Sequence, residues 1–344
     1  MISQIKKLAL LVIPIITVLA SCDVKNADKI VEIQLSESKA IQLERKVIDV
    51  SLYRPNKIYL YNDNLIVYDD IRDSIFKVLD NKDLKHKYTF GRIGQGPGEF
   101  IFVDNEAINS SAYFEILNRN ELRYYNITDT VAVQALSPKS IVHKSGPINN
   151  FKKLSDSIYL LNNDHTSGKF EKELISYNIN NKTETEFGDL ILFGDLKSKN
   201  IEEQYFSLSK SITANTTRDK FALFYYMYPF FKIFSSGTLS NVFHINDKTE
   251  HAEGCAYFAS AYSTDKFIYV LWVLKSEEEI MENLDNYKPV LLVFDWDGNL
   301  VQNYKFDVPI ITFAVNNSND KLYGISIRES DMNAIYVCNI QVNK

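Results

Sequence analysis

The sequence predicts an all-β fold, a six-bladed β-propeller with four-stranded blades, on the basis of three observations. Aromatic residues are abundant, with 21 Tyr and 21 Phe, and such side chains pack well on pleated sheets. An internal repeat runs through the chain, and a strand pattern near the N terminus matches a strand missing from the last repeat. With 45% hydrophobic and 24% charged residues among 344, the chain has the composition of a folded protein. The net charge of -6 leaves no basic excess for a nucleic acid.

The repeat consists of a polar turn containing Asp or Asn, followed by a strand that opens with apolar or aromatic residues. Its turns centre near residues 63, 110, 156, 219, 265 and 320. The shortest spacing, 46 residues, is typical of a four-stranded propeller blade. Two intervals are longer because residues 188–204 form an extra loop and residues 275–288 form a helical or flexible excursion.

The fifth repeat shows the strand pattern of a blade most clearly. Apolar runs at residues 267–274, 290–294 and 300–306 predict three strands, with a hairpin at residues 295–299. Asp297-Gly298 predicts a type I′ turn in that hairpin. The runs are not strictly alternating, which indicates strands covered on both faces by neighbouring blades.

The last repeat is one strand short, because only residues 322–327 and 334–340 follow its turn. An unmatched strand pattern lies at residues 41–50, before the first repeat. The sequence therefore predicts that this N-terminal strand completes the last blade and closes the ring without an open edge.

The N terminus has the features of a bacterial lipoprotein signal peptide. Lys6 and Lys7 precede an apolar run at residues 8–19, which is too short to span a bilayer as a helix. The run ends in Leu-Ala-Ser-Cys, a lipobox, so residues 1–21 are expected to be removed and Cys22 to carry the lipid. An ordinary signal peptide or a short anchor is the alternative. Residues 22–39 then form a lipidated tether and residues 40–344 the propeller, held at the cell envelope on the outer membrane.

A glycine-rich segment at residues 91–100, GRIGQGPGEF, resembles the TolB-like six-bladed propeller lipoproteins of Gram-negative bacteria. That family carries a GxxGxGPGEF segment after its first blade. Shorter matches lie at residues 293–298, VFDWDG, and 322–324, LYG. The resemblance implies a six-bladed propeller and an envelope location, and it implies no reaction and no catalytic residues.

The same segment has a structural and a functional interpretation. Pro97-Gly98 predicts a type II turn, and Arg92 and Glu99 are placed to pair or to cap exposed amides. Alternatively, Arg92, Gln95 and Glu99 are the polar contacts of a binding loop. The structural interpretation is favoured. The segment is not a phosphate loop, because it lacks the following Lys-Ser/Thr and does not open onto a helix.

Other candidate sites are weak, and the sequence predicts neither a metal site nor a cofactor. His251, Glu253 and Cys255 alternate as zinc ligands can, but a turn followed by a buried cysteine is favoured. Cys255 and Cys338 are expected to be buried and unpaired rather than bridged. The start of a calcium loop at residues 295–298 is better explained as a hairpin.

An aromatic run at residues 221–234 offers a stacking platform for sugars or peptides, although two strands packed between blades are favoured. Because no catalytic set converges, the sequence favours a non-enzymatic binding or scaffold module for a protein, peptide or small ligand. The alternatives are a calcium- or zinc-dependent hydrolase or lyase with its site in the central channel, and an envelope glycan-binding protein.

Overall fold

The computed structural model describes residues 30–342 except 72, 111, 144–147, 149, 164–171, 193, 216, 218–219 and 247–253. Its first three strands are β1 (Ile30–Gln34), β2 (Lys39–Ile41) and β3 (Glu44–Val47). They join the outer edges of sheets whose other strands come later in the chain.

The next twelve strands form three antiparallel sheets in chain order, each with its first strand innermost. Blade 1 contains β4 (Pro55–Tyr61), β5 (Asn64–Asp69), β6 (Phe76–Asp80) and β7 (His86–Phe90). Blade 2 contains β8 (Val103–Ser110), β9 (Phe114–Asn118), β10 (Glu121–Ile127) and β11 (Ala132–Ser140). Blade 3 contains β12 (Lys152–Lys153), β13 (Ile158–Asn162), β14 (Lys172–Asn178) and β15 (Thr183–Asp189).

The remaining strands form the other three sheets. Blade 4 contains β16 (Lys210–Ala214), β17 (Lys220–Tyr225), β18 (Phe230–Ser235) and β19 (Thr238–Asn246). Blade 5 contains β20 (Ala256–Ser263), β21 (Phe267–Lys275), β22 (Val290–Asp295) and β23 (Leu300–Phe306). Blade 6 contains β24 (Ile310–Val315), β25 (Lys321–Ser326) and β26 (Ala334–Asn339), with β3 as its outer strand.

The six sheets form a closed ring, so the chain is a six-bladed β-propeller. The innermost strands β4, β8, β12, β16, β20 and β24 contact one another in that order, and β24 contacts β4. The seam is closed as predicted, because β3 pairs antiparallel with β26 from Val47 opposite Ala334 to Glu44 opposite Val337. The strand pattern at residues 41–50 therefore completes the last blade.

The core is divided into layers between neighbouring blades. In β5, Leu65 and Val67 pack toward blade 6, whereas Ile66 and Tyr68 pack toward blade 2. Successive side chains of a strand point to opposite faces, so a strand buried on both faces is apolar throughout. This explains the continuous apolar runs of the sequence, and each fully buried side chain of this kind contributes about 1.5–3 kcal/mol.

The prediction that residues 22–39 form a tether is wrong for the second half of that range, because strands begin at Ile30. β1 pairs parallel with β19 as a fifth strand of blade 4, and β2 pairs parallel with β23 on blade 5. Ile33 is buried there, and Val31 packs against the same layer, so alternate side chains of β1 anchor it. Residues 1–29, including Cys22, lie outside the described residues. No helix in the described part of the chain is long and apolar enough to cross a membrane.

Both predicted insertions carry helices. Residues 188–204 lead through a 3₁₀ helix (Gly194–Ser198) into α1 (Ile201–Ser207). The excursion after β21 contains α2 (Glu277–Glu282), where the Ser276 side chain accepts from the Glu279 amide and Glu279 accepts from Ser276 in return. A short 3₁₀ helix (Glu329–Asp331) connects β25 to β26.

The hairpin at residues 295–299 is present, but the type I′ prediction is wrong. Gly298 alone has a positive φ in this hairpin, +87°, and its amide donates to the Asp295 carbonyl over 3.0 Å. This is the pattern of a type I turn followed by a left-handed glycine. The Asp295 carboxylate accepts hydrogen bonds from the backbone amides of Asp297 and Asn299, each over 3.0 Å.

Candidate binding channel

The two faces of the ring differ in their loops. Each blade runs as an antiparallel meander, so the hairpins between strands one and two and between strands three and four share one face, termed the lower face. The connections between blades, and those between strands two and three, form the upper face. Loops at the ends of a rigid ring are where a propeller presents its contacts.

A cavity of about 290 Å³ runs along the ring axis between the innermost strands. It extends from Lys57 and Lys152, near the upper ends of β4 and β12, to Asn62 and Asn317 at the lower hairpins. Asn62 and Asn317 are exposed, so the cavity opens at the lower face. We call this cavity the channel chamber.

Polar groups dominate the wall of the channel chamber. Its charged side chains are Lys57, Lys152 and Lys153, and no carboxylate side chain lines it among the described residues. The other polar residues that line it carry amide, hydroxyl or phenol side chains, namely Tyr59, Tyr61, Asn62, Asn109, Thr213, Asn215, Tyr262, Ser263 and Asn317.

The two lysines at the upper end of the chamber, Lys57 and Lys152, share the carboxylate of Glu106. Lys57 Nζ is 2.5 Å from Glu106 Oε1, and Lys152 Nζ is 3.8 Å from Glu106 Oε2. The hydroxyl of Ser211 lies 3.5 Å from the same Oε2. The Glu106 amide donates to Asp104 Oδ1 over 2.9 Å, which places a second carboxylate beside the first. Strands of blades 1, 2, 3 and 4 thus meet in one charge cluster.

The charge cluster is not evenly neutralised. Burial opposes ionisation of Glu106, but Lys57 and then Lys152 outweigh burial and lower the pKa of Glu106. Burial, and next the Glu106 charge, raise the pKa of Asp104. Burial lowers the pKa of Lys152, and the neighbouring Lys57 ammonium lowers it further. Glu106 is therefore the more firmly ionised of the two carboxylates, and the charges of both act on Lys152.

Lys153 has its own partners between blades 2 and 3. Its ammonium forms an ion pair with Glu115, whose side chain is fully buried. The Tyr159 hydroxyl donates to Glu115 Oε2 over 3.0 Å. Lys153 therefore pairs with Glu115, whereas Lys57 and Lys152 share Glu106 at the upper end of the chamber.

The glycine-rich loop lies on the upper face, between β7 and β8. The type II turn is confirmed, since the Glu99 amide donates to the Gly96 carbonyl over 3.1 Å and Gly98 has φ +81°. The Glu99 carboxylate caps a backbone amide and also forms an ion pair. Its Oε2 accepts from the Gly96 amide over 2.7 Å, and its Oε1 lies 3.7 Å from Arg92 Nε. Gln95 is exposed. Glu99 thus supports the loop, and the role of Arg92, Gln95 and Glu99 as ligand contacts stays a prediction.

Large apolar side chains are exposed on the upper face. Phe206 is 70% exposed, Phe102 59% and Met281 56%. The full set of upper-face residues of this kind is Tyr53, Ile101, Phe102, Val142, Phe206, Met281 and Met332. The other five exposed large apolar residues of the described chain lie at the outer edges of blades 2, 4 and 6, so the upper face carries seven of the twelve, and we call these seven the apolar upper face.

The weaker candidate sites are accounted for in part. Cys255 and Cys338 are both buried and free, as predicted. His251 and Glu253 lie outside the described residues, and Cys255 Sγ is 3.9 Å from Glu279 Oε2. Within the described ranges, no group of three His, Cys, Asp or Glu side chains is arranged to hold a metal.

The aromatic run forms β17 and β18, as favoured from the sequence. Phe224, Tyr225 and Phe231 are fully buried, and the Tyr225 hydroxyl donates to Glu173 Oε2 over 2.6 Å. Tyr226 and Tyr228 are half-buried in the loop between these strands. The run therefore packs between blades and does not form a continuous stacking platform.

Sequence reasoning missed the charge cluster, although a signal exists. The four charged residues of the cluster lie four to six residues before the centre of a repeat turn. They are Lys57, Asp104, Glu106 and Lys152. That position is on the innermost strand of a blade, which lines the channel. Charged residues at this position of the repeat therefore indicate a polar site in the channel.

Comparison with known proteins supports the fold. The chain matches no protein-family model and no curated protein. A solved structure from Bacteroides fragilis, described as an exported protein, has a TM-score of 0.57 at 12% identity and covers 92% of this chain and 100% of its own. A member of the DUF4221 family from Bacteroides vulgatus has a TM-score of 0.56 at 11% identity, covering 88% and 98%. A luciferin-regenerating enzyme has a TM-score of 0.52 at 12% identity, covering 87% and 96%. These identities establish a shared fold alone.

Proposed function

We propose that the protein is a lipid-anchored, non-enzymatic binding module of the cell envelope that holds a small polar ligand in its channel chamber. The chamber itself is the observation that supports this proposal. At about 290 Å³ it is close to the lower end of the range for small-molecule sites, about 300–1,000 Å³, and polar groups from several blades converge on it.

The envelope location rests on the lipobox at Cys22 and on the resemblance to TolB-like propeller lipoproteins. The description of the Bacteroides fragilis neighbour as exported is in keeping with it. Seven residues separate Cys22 from β1, so the lipid anchor holds the ring within about 25–30 Å of the membrane surface.

Replacing Cys22 with Ser is expected to leave an uncleaved precursor or release the protein from membranes. Normal processing with membrane retention would contradict the anchor.

Ligand binding in the chamber is tested with the full lipidated chain in detergent. Thermal shift against a panel of small neutral, acidic and basic metabolites is expected to give stabilising compounds. Asn317→Trp places a large side chain at the exposed rim and is expected to abolish those shifts while leaving the unliganded Tm unchanged. Shifts that persist in Asn317→Trp would place the ligand elsewhere.

The non-enzymatic part of the proposal has its own measurement. A binding compound incubated with stoichiometric protein is expected to be recovered unchanged by mass spectrometry. Conversion of the compound to a product would favour the hydrolase or lyase alternative. Conversion that requires added calcium or zinc would favour it further.

A scaffold role is the second candidate, favoured by the apolar upper face. Exposed aromatic and methionine side chains around a rigid ring are typical of protein-protein contacts. Crosslinking in intact envelopes is expected to yield a defined adduct that Phe102→Ser and Phe206→Ser remove. Val47→Ser, an exposed apolar residue on the outer edge of blade 6, is the matched control and should leave the adduct intact.

A further inference from the structure

We propose that the ligand of the channel chamber is a small anion, bearing a carboxylate or phosphate group that Lys57 and Lys152 hold. This inference rests on the proposed function and names the chemical class of the ligand.

The first step concerns the charges that face the cavity. All charged residues that line the chamber in the described structure are lysines, and their partner carboxylates Glu106 and Glu115 are not among its lining residues. A ligand in the chamber therefore meets positive groups directly.

The second step concerns the sharing of Glu106. Lys57 Nζ lies at hydrogen-bonding distance from it, 2.5 Å, whereas Lys152 Nζ stays 3.8 Å away. Because both ammonium groups contact one carboxylate, they lie close together and repel each other. An ammonium group has three donors, so each lysine retains donors for a second acceptor. An anionic oxygen that both ammonium groups reach offsets that repulsion and forms charge-assisted hydrogen bonds beside the Glu106 carboxylate.

The third step concerns the rest of the ligand. Below the lysines, the chamber is lined by Thr213 and Ser263, whose hydroxyls hydrogen-bond to each other, and by Asn62, Asn215 and Asn317. These groups donate and accept hydrogen bonds without carrying charge. The geometry therefore suits a molecule with an acidic group at one end and hydroxyl or amide groups along its body.

The groups that surround the lysines set the pH dependence of binding. Asp104 and Glu106 face them from blade 2, Ser211 and Tyr226 from blade 4, and Tyr59 from blade 1. The raised pKa of Asp104 means that lowering the pH neutralises this carboxylate first and makes the cluster more positive. The lowered pKa of Lys152 means that raising the pH removes its charge early. Anion binding is therefore expected to tighten as pH falls through the Asp104 titration and to weaken as pH rises through that of Lys152.

The test compares glucuronate with glucose by titration calorimetry on the full lipidated chain in detergent. The two sugars differ in one carboxylate, and glucuronate stays ionised between about pH 8 and about pH 5.5. Inorganic phosphate and succinate serve as smaller anionic probes. We expect at least one anionic probe to bind about tenfold or more tightly than glucose, and we expect glucuronate, whose charge stays constant, to bind more tightly at the lower pH.

Charge variants assign the effect to the chamber. Lys152→Gln and Lys57→Gln are each expected to weaken anion binding by about tenfold or more. Lys266→Gln, an exposed lysine on the same lower face, is the control and should leave binding unchanged. Circular dichroism and Tm confirm that each variant is folded, and Lys152→Gln removes the longer of the two contacts with Glu106.

The outcomes separate this inference from the proposed function. Neutral compounds that bind and are lost in Asn317→Trp, with no preference for anions, would overturn the anionic class and keep the chamber as a binding site. Anion binding unaffected by Lys57→Gln and Lys152→Gln would overturn the assignment to these lysines. No binding by any compound would overturn both.

Discussion

Lys232 Nζ lies 2.5 Å from Glu173 Oε1, and both side chains are buried where blade 4 packs against blade 3. Lys232 is 0% exposed and Glu173 2%. The Tyr225 hydroxyl and Lys210 Nζ, at 2.6 and 3.9 Å, also contact Glu173. A charge pair buried between two sheets fixes their relative position, because either charge left alone would be strongly unfavourable.

Replacing Lys232 with Met is therefore expected to lower the free energy of unfolding by about 3–5 kcal/mol, since Glu173 would stay buried without its main counter-ion. Guanidinium denaturation followed by circular dichroism measures this change. Lys172→Met is the matched control, because its pair with Asp189 is exposed and should cost under about 1 kcal/mol. Equal effects of the two substitutions would show that burial of the Lys232 pair does not matter to stability.

Gly298 and Gly237 occupy equivalent hairpins of blades 5 and 4. Alanine substitutions at these two positions distinguish the cost of a side-chain clash from the cost of backbone strain. Gly298 and Gly237 have φ values of +87° and +77°, so an alanine at either position is strained by about 1–2 kcal/mol. At Gly298 the added Cβ would also lie 2.0 Å from Cζ of the buried Phe243, whereas nothing lies within 4 Å at Gly237. Gly298→Ala is expected to destabilise by about 1–3 kcal/mol more than Gly237→Ala, measured by guanidinium denaturation. A similar loss of stability in the two variants would show that backbone strain alone causes it and that the contact with Phe243 does not contribute.

The sequence predicts the ring because a propeller repeats itself and must close. The turn spacing and the strand missing from the last repeat both follow from blade geometry, and both reappear in the pairing of β3 with β26. The short strands β1 and β2 were missed because only five and three residues pair, and much of each strand remains exposed. The turn type at Gly298 was missed because Asp-Gly permits more than one turn.

The charge cluster was not predicted because its members are distant in sequence. Lys57, Glu106, Lys152 and Ser211 come from four repeats, and each taken alone is an ordinary polar residue in a strand. Their meeting depends on the ring bringing the innermost strands together. Blade assignment alone is thus enough to predict the fold, whereas the site requires the register of each inner strand.

Ring closure predicts different outcomes for two N-terminal deletions. Removing residues 30–41 takes away only the added strands β1 and β2, and we expect a folded ring whose Tm is lower by several degrees. Removing residues 30–47 also takes away β3 and leaves the edge of β26 unpaired, so we expect aggregation or loss of a cooperative transition. Differential scanning calorimetry distinguishes the two. A cooperative transition of unchanged Tm after the longer deletion would contradict closure by β3.

The thiol of Cys338 is expected to be unreactive in the folded protein. Burial, and next the charge of Asp307, raise its pKa to about 12, whereas a free cysteine titrates near about 8.5. The thiolate is the reactive form, so at about pH 8 N-ethylmaleimide should modify Cys338 only after unfolding. Because the folded pKa is the higher one, the unfolded chain ionises first as pH rises, and stability should fall above about pH 8.5. Peptide mass spectrometry of a Cys255→Ala variant, with and without guanidinium, follows this thiol alone. Rapid labelling without denaturant would show that the layer between blades 5 and 6, where Cys338 packs, opens in the native state.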